Sequence, residues 1–102
     1  MTTPRHLQRS ANSDDGAITL EIASDVYHHQ LSVDTSAESG TFTVEARAPG
    51  ASNYTTVSGE IDLSDASKLT VLWEGFYSHL QITPVDVASD TDYTLTYVGG
   101  NG

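Results

Sequence analysis

Apolar and polar residues alternate with a period of two along most of the chain from residue 18 onward. In "AITLEIA", Ile18, Leu20 and Ile22 are in phase, and Thr19 and Glu21 fall between them. Successive side chains of a β-strand point to opposite faces of the sheet, so this pattern is typical of a strand with one buried face. The same period recurs in "YHHQLSVD", "GTFTVEARA", "YTTVS", "EIDLS", "KLTVLW", "FYSHLQITP" and "DYTLTYV".

Turn-forming residues separate these runs every 8 to 12 positions, and no segment shows a helical period over eleven residues or more. Short, evenly spaced strands of this kind are typical of two packed antiparallel sheets. The pattern therefore predicts an all-β fold: a single antiparallel β-sandwich of about seven strands, immunoglobulin-like or jelly-roll-like. The predicted interior consists of the residues in phase, namely Ile18, Leu20, Leu31, Val44, Leu69, Val71, Trp73, Leu80, Ile82 and Leu95.

The stretch "WEGFYSHLQITP", residues 73–84, concentrates aromatic side chains. Its alternation places Phe76 inward with the neighbouring leucine and isoleucine, and Tyr77 and His79 on the opposite, solvent-facing side. Tyr77 and His79 are therefore the predicted exposed contact face of the sandwich.

Both ends of the chain lack the alternation. Residues 1–16 contain Pro4 and finish in the turn cluster "NSDDG", which predicts a flexible N-terminal arm. Residues 17–98 form the predicted sandwich domain, and residues 99–102 a flexible C-terminal end. Together these 102 residues are the size of one domain with one core.

The composition excludes several classes of site and partner. The chain has no cysteine, which excludes disulfide bonds, thiolate zinc sites and a cysteine nucleophile. It has no apolar window long enough for a signal peptide core or a membrane span. We therefore expect synthesis in a cytoplasm and no membrane partner.

Charge is strongly unbalanced. Fourteen acidic residues face four basic ones, for a formal charge of −10, which would repel a phosphate backbone and argues against a nucleic-acid partner. Within residues 1–13, Arg5 and Arg9 occur with no acidic residue. Arg5, His6 and Arg9 are accordingly the predicted attachment residues of the arm.

Candidate metal sites have weak spacing. His28 and His29 are adjacent and would point to opposite faces of a strand, so they cannot share one ion. In "DVASDTD", Asp86, Asp90 and Asp92 could offer oxygen ligands to calcium, but the spacing does not match an EF-hand loop. The alternative is a turn rich in side chains that bond their own backbone. We predict no metal and no cofactor.

Catalytic residues are equally hard to find in the sequence. Serine, histidine and aspartate are numerous, but no motif marks an activated serine. The acidic residues lie in turn-like stretches, where solvent keeps both members of a pair ionised. The prediction is that the protein is not an enzyme.

"SGTFTVEARAPGASNYTTV", "GEIDLS", "GFYSHLQITPV" and "DYTLTYVGG" occur in this order. Over residues 39–100 the chain thereby resembles the small β-sandwich virion proteins of tailed bacteriophages, of the capsid decoration, cement or tail-accessory type. The resemblance implies a non-enzymatic structural protein located in the virion. Its implied partners are the major capsid protein or other virion proteins, and further copies of itself.

Two placements within a virion follow from this resemblance. The acidic charge favours a capsid decoration or cement protein on the outside of the head shell, away from packaged DNA. The alternative is a host-recognition module of a tail or fibre that binds carbohydrate through exposed tyrosines, with Tyr54, Tyr77 and Tyr97 as candidates. These tyrosines could instead pack at the edge of the core.

Overall fold

The computed structural model describes residues 5–101, and it confirms the all-β prediction. No α-helix occurs in this range, and two short 3-10 turns cover Ser13–Asp15 and Ala66–Lys68. The strands, of which two are only two residues long, are β1 (His6–Asn12), β2 (Ile18–Glu21), β3 (His28–Thr35), β4 (Thr41–Arg47), β5 (Thr55–Thr56), β6 (Ile61–Asp62), β7 (Thr70–Glu74), β8 (His79–Val85) and β9 (Asp92–Gly100).

The strands form two antiparallel sheets. Sheet A has the order β1-β9-β3-β7, and sheet B has the order β2-β8-β4-β5, with β6 also paired to β4. The first four strands alternate between the two sheets, so their connections cross from one sheet to the other at the ends of the sandwich. The loops that make these crossings gather at two opposite ends, and each end collects residues that are distant in sequence.

The inward faces of both sheets form one apolar core. Eight of the ten predicted core residues are buried, and Leu69 and Val71 are only partly buried because they lie in and beside the edge strand β7. The buried apolar residues are Ile18, Leu20, Ile22, Ala23, Val26, Leu31, Val33, Phe42, Val44, Ala46, Ile61, Leu63, Trp73, Leu80, Ile82, Tyr93, Leu95 and Tyr97. The alternation along the chain thus identified eight of the eighteen buried apolar residues.

The prediction of a flexible arm over residues 1–16 is wrong for its central part. His6–Asn12 forms β1, an edge strand paired along its whole length with β9. Leu7 and Ala11 pack against the core, but Arg9 occupies the inward-facing position between them, and this charge breaks the apolar alternation. The strand is stabilised by the exposed edge of β9, which no pattern within residues 1–16 can reveal. Residues 1–4 of the predicted arm lie outside the described range.

The prediction of a flexible C-terminal end over residues 99–102 also needs correction. β9 continues to Gly100, and the N–H of Gly99 donates a hydrogen bond to the Arg5 carbonyl at 2.7 Å. A β-carbon at Gly99 would lie 2.6 Å from the Tyr97 hydroxyl and 2.7 Å from a methyl group of Val26. Gly99, which was predicted to lie in a flexible end, is therefore required for close packing against Tyr97 and Val26. Gly102 lies outside the described range.

We expect Trp73→Ala to lower the free energy of unfolding by about 3–5 kcal/mol, because it empties a buried aromatic site in β7. Leu72→Ala, on the next residue of the same strand, is the control, since Leu72 is 70% exposed, and it should cost less than about 1 kcal/mol. Urea denaturation followed by circular dichroism measures both. Equal losses would contradict the assignment of Trp73 to the core.

Deletion of residues 1–12 should destabilise the protein by roughly 3 kcal/mol or more, because it removes the ladder with β9 and the packing of Leu7. A matched variant, Gln8→Ala, keeps the strand and removes one exposed side chain, and it should change stability little. Thermal unfolding of the two proteins provides the measurement. Unchanged stability of the deletion variant would restore the flexible-arm interpretation.

Candidate functional site

One end of the sandwich carries exposed aromatic side chains, and we call it the aromatic end; it comprises residues 5–6, 21–28, 47–54, 74–79 and 99–101. Tyr27 is 41% exposed and Phe76 is 54% exposed, with 5.2 Å between their ring centroids. The Tyr27 ring also meets the His28 ring edge-on at 5.2 Å. Two loops that lie far apart in sequence thus build one aromatic surface.

The backbone of Tyr27 is held from both sides. Its N–H donates to the side-chain oxygen of Asn101 at 2.8 Å, and its carbonyl accepts from the N–H of Gly75 at 2.8 Å. The Asn101 amide in turn donates to the Asp25 carbonyl at 3.0 Å. Because the backbone is anchored in this way, the Tyr27 ring is presented to solvent at a defined position.

Gly75 determines which aromatic ring of "GFY" faces outward. Its φ is 126°, and a β-carbon there would lie 2.8 Å from the Tyr77 ring. The Tyr77 ring folds back over Gly75 and packs against the core, 5.8 Å from the His29 ring, so Phe76 is turned outward. This corrects the predicted orientations, in which Phe76 pointed inward and Tyr77 shared an exposed face with His79.

His29 lies beneath this loop and is 2% exposed. Its Nε2 is 2.6 Å from the Gly75 carbonyl, which can only accept, so Nε2 carries the proton. Nδ1 is then the acceptor for the Tyr97 hydroxyl at 2.7 Å. The imidazole also stacks on Trp73, with ring centroids 5.2 Å apart and planes within 14°. One neutral histidine therefore connects β3, β7, β9 and the loop that carries Phe76.

Burial shifts the pKa values of this buried pair in opposite directions. Desolvation lowers the pKa of His29 below 6.5, partly offset by the hydrogen bond to the Gly75 carbonyl. Burial raises the pKa of Tyr97 to about 12, so its hydroxyl keeps the proton that it donates to His29. The histidine is a satisfied core residue on the inward face of β3.

The acidic residues of the aromatic end all lie beside basic groups. Arg5 contacts Asp25 at 2.5 Å, His28 lies 3.4 Å from Glu74, and His79 lies 3.9 Å from Glu21. The first two pairs are solvent-exposed and the third joins the partly buried His79 to an exposed Glu21, so each adds little stability by itself. With Arg5 and Arg47 the two strong cations there, the formal charge of this end is only −1.

The opposite end, which we call the acidic end, comprises residues 13–17, 34–40, 62–69 and 85–92. It holds nine of the fourteen acidic residues and one basic residue, Lys68, a formal charge of −8. Hydrogen bonds from Ser64 and Ser67 hold the pKa values of Asp62 and Asp65 below their ordinary value, so both carboxylates stay ionised. Tertiary structure therefore turns an acidic composition into a protein with one charged end and one nearly neutral end.

Exposed apolar residues extend from the aromatic end onto the outer face of sheet A. Leu72 is 70% exposed and Val98 is 42% exposed. Gln30 of β3 lies between them, paired with Leu72 of β7 on one side and with Val98 of β9 on the other. We call Tyr27, Leu72, Phe76 and Val98 the apolar patch. Closer to the acidic end the same face carries uncharged polar side chains, among them Gln8, Ser32, Thr70, Thr94 and Thr96. The apolar patch is thus confined to the half of the face nearest the aromatic end.

The residues singled out in the sequence are distributed over several surfaces. Arg5 is at the aromatic end, and His6 lies across from Val98 on the outer face of sheet A. Arg9 lies in the middle of the edge strand β1, in phase with Leu7 and Ala11. His79 lies on the outer face of sheet B beside Arg47, not beside the apolar patch. Sequence reasoning missed Tyr27 and Phe76, for which the one available signal was the glycine directly before Phe76.

The proposed tyrosines mostly pack at the core. Tyr97 is fully buried, Tyr77 is partly buried, and Tyr54 lies under the Arg47 guanidinium, whose central carbon is 5.4 Å from the ring centroid. Core or edge-of-core packing is therefore the interpretation that the structure favours for Tyr77 and Tyr97, whereas Tyr54 packs against Arg47.

A serine and a histidine adjoin on sheet B without forming a catalytic pair. Ser78 Oγ is 2.8 Å from His79 Nδ1, but the Arg47 guanidinium is 3.0 Å from the same nitrogen and can only donate to it. Nδ1 has one lone pair, which Arg47 occupies, so it does not serve as a base for the Ser78 proton. The arrangement is a surface hydrogen-bond network.

The "DVASDTD" segment uses its carboxylates in local contacts. Asp86 and Asp90 adopt positive φ angles of 58° and 55°, as residues in tight turns do. The Asn12 amide donates to Asp90 at 3.1 Å and to Asp92 at 2.9 Å, which attaches this loop to β1. Within residues 5–101, no group of three histidine, aspartate or glutamate side chains is arranged to hold a metal ion. Nor does this range contain a helix of the length and apolarity needed to cross a membrane.

Comparisons with known proteins show the fold and no family. No family model and no curated protein matches the sequence. The fold is similar to the Drosophila NLP core (TM-score 0.51, 12% identity, 91% of this chain and 97% of that one). It is also similar to AlgX of Pseudomonas aeruginosa, with a TM-score of 0.57 and 10% identity over 92% of this chain. IMPa of the same organism gives a TM-score of 0.55 and 11% identity over 96% of this chain. This chain spans only 26% of AlgX and 13% of IMPa.

We expect the free energy of unfolding to fall as the pH is lowered below 6.5, in part through His29. Its folded pKa is lowered, so below 6.5 the unfolded state binds the proton first, and stability is lost until the pH reaches the folded pKa. The slope from one such group is at most about 1.4 kcal/mol per pH unit. Urea titrations between pH 7 and pH 5 measure it.

His29→Gln removes the titrating group and should flatten this slope, although it lowers stability at pH 7. His6→Gln removes an exposed histidine and is the matched control, which should keep the wild-type slope. A His29→Gln slope equal to that of the wild type would show that His29 does not contribute to the acid sensitivity.

Proposed function

We propose that this protein is a non-enzymatic attachment protein of a phage virion, a capsid decoration or cement protein that docks on the outside of the head shell. The observation that carries the proposal is the apolar patch beside a nearly neutral end on a protein whose other end is strongly acidic. The resemblance of residues 39–100 to phage sandwich proteins supports placement in a virion.

The apolar patch is suited to a protein partner. Exposed aromatic and aliphatic side chains contribute most when a partner removes them from water, at about 25 cal/mol per Å² of apolar surface. The carboxylates of the neighbouring end already lie beside Arg5, His28 and His79, so docking would leave no isolated acidic group buried. The patch therefore offers favourable burial with a small electrostatic cost.

Charge distribution supports a definite orientation. With the apolar patch against a protein lattice, the acidic end points away from the contact, and its carboxylates remain hydrated. The same charge repels packaged DNA, which favours the exterior of the shell over its interior. Each contact is modest, and attachment in many copies stabilises the assembled shell by bridging its subunits.

A second candidate function is carbohydrate binding by a tail or fibre component. Tyr27 and Phe76 favour it, because two exposed rings beside the polar His28–Glu74 pair offer apolar faces and hydrogen-bonding groups together. Copy number separates the two candidates: hundreds of copies per particle indicate the head, and about a dozen or fewer indicate the tail.

Phe76→Ser and Val98→Ser should each reduce retention on particles, with an affinity loss of at least tenfold, on the order of 1.4 kcal/mol or more. Val85→Ser is the matched control, because Val85 is 39% exposed at the acidic end and should leave retention unchanged. Purified particles that lack the protein are incubated with each variant, and the copies retained after sedimentation are counted.

Equal retention of all three variants would remove the apolar patch as the docking surface. A loss of glycan-array binding in the Phe76→Ser variant, with head retention unchanged, would favour the carbohydrate-binding candidate. Circular dichroism of each variant checks that the sandwich is intact, which is expected because all three substituted side chains are exposed.

A further inference from the structure

β7 is an edge strand of sheet A, paired on one side only, with β3. The N–H of Val33 donates to the Leu69 carbonyl, and the N–H of Gly75 donates to the Tyr27 carbonyl. Antiparallel hydrogen-bonded pairs recur every two residues, so the odd-numbered residues of β7 bond to β3. The backbone groups of Thr70, Leu72 and Glu74 therefore point away from the sheet, and in the described range no other strand meets them.

The other sheet edges are protected in ways that β7 is not. β1 places the charged Arg9 at an inward-facing position of its edge, β2 is four residues long, and β5 has two residues. Inward charges and very short strands are the usual means by which proteins block edge pairing. β7 reads Thr-Val-Leu-Trp-Glu, with no proline, bulge or lysine.

The free edge of β7 is also exposed, and it carries one large apolar side chain. Leu72 is the most exposed large hydrophobic residue of the described chain, at 70%. A concavity of about 350 Å³ adjoins Leu72, Trp73 and Glu74, and another of about 370 Å³ adjoins Thr70 and Val71. The Trp73 Nε1 donor is buried on this strand with no partner in the described range. Thr70, Leu72 and Glu74 are all exposed.

We propose that two copies of this chain pair through β7, in antiparallel orientation about a two-fold axis at Leu72. This register places Leu72 opposite Leu72 of the second copy and Thr70 opposite the second copy's Glu74. All three outward-pointing residues then pair, with up to about six backbone hydrogen bonds. Centring the axis on Val71 or Trp73 would pair only two of them, so Leu72 gives the best match.

Charge favours a second copy of the same chain as the partner. Antiparallel pairing sets the acidic end of one copy beside the nearly neutral aromatic end of the other, which keeps the two groups of nine carboxylates apart. The same register brings Lys68 of each copy, the one cation of its acidic end, toward Glu74 of the other. A parallel arrangement would place the two acidic ends side by side.

The resulting dimer has a continuous eight-stranded sheet, because each copy contributes the four strands of sheet A. Its two-fold axis is perpendicular to this sheet, so both outer faces point the same way. Pairing does not depend on the proposed function, since it uses backbone groups of β7 and the Leu72 side chain. If both proposals hold, a dimer presents two apolar patches to one surface.

The test measures the mass of the full chain by sedimentation equilibrium from about 1 to 300 μM. We expect a concentration-dependent dimer of about 22 kDa, twice the 10.9 kDa of one chain. Leu72→Lys sets two ammonium groups against each other on the axis and should weaken association at least about tenfold. Val98→Lys is the matched control: the same change on the same face, on the interior strand β9, should leave the dimer intact.

A single cysteine then checks the register in a chain that has none of its own. Leu72→Cys should form a disulfide-linked dimer under mild oxidation, because paired strands place these residues about 5.5 Å apart. Val98→Cys should not. A wild-type protein that remains monomeric at about 300 μM, or a Leu72→Lys variant that associates like the wild type, would overturn the proposal whether or not the protein binds particles.

Discussion

The hydrogen bond from His29 to the Gly75 carbonyl is the contact on which the aromatic end depends. The imidazole reaches from β3 to the β7–β8 loop, accepts from Tyr97 of β9 and stacks on Trp73 of β7. Because Gly75 is held from beneath and its N–H bonds to the Tyr27 carbonyl, both exposed rings take their positions from this one buried group. A neutral, fully bonded histidine is what such a site requires, and burial keeps it neutral.

Separation of charge is the second organising feature of the molecule. Sheet crossings bring the loops that contain most of the aspartates to one end, where serine hydroxyls and backbone N–H groups keep carboxylates ionised. The other end has Arg5 and Arg47 against its three acidic residues, Glu21, Asp25 and Glu74. A surface with apolar groups near the neutral end can meet a partner without bringing a high density of like charge into contact, and this asymmetry underlies both proposals.

The sheet edges show how differently two exposed strands can behave. β1 fills the edge of β9 and carries a charge on its inward side, whereas β7 presents a free backbone edge with an exposed leucine at its centre and its one charged residue, Glu74, at its end. A β-sandwich always leaves such edges, and a strand without a blocking residue is available for pairing. Leu72 is therefore exposed because it lies on the outer face of an edge strand, and the core itself is complete without it.

The period-two alternation determined the all-β class, the sandwich and eight of the ten proposed core residues, because in-phase apolar side chains must share one buried face. Only the tertiary structure could assign β1, whose paired residues on β9 lie eighty or more positions away in sequence, and only the packing around Gly75 turned Phe76 outward and Tyr77 inward. The charged and neutral ends likewise arise from which loops the strand order brings together. Local pattern encodes which face of a strand is buried, whereas edges, loop orientations and surface patches depend on contacts between residues that are distant in the chain.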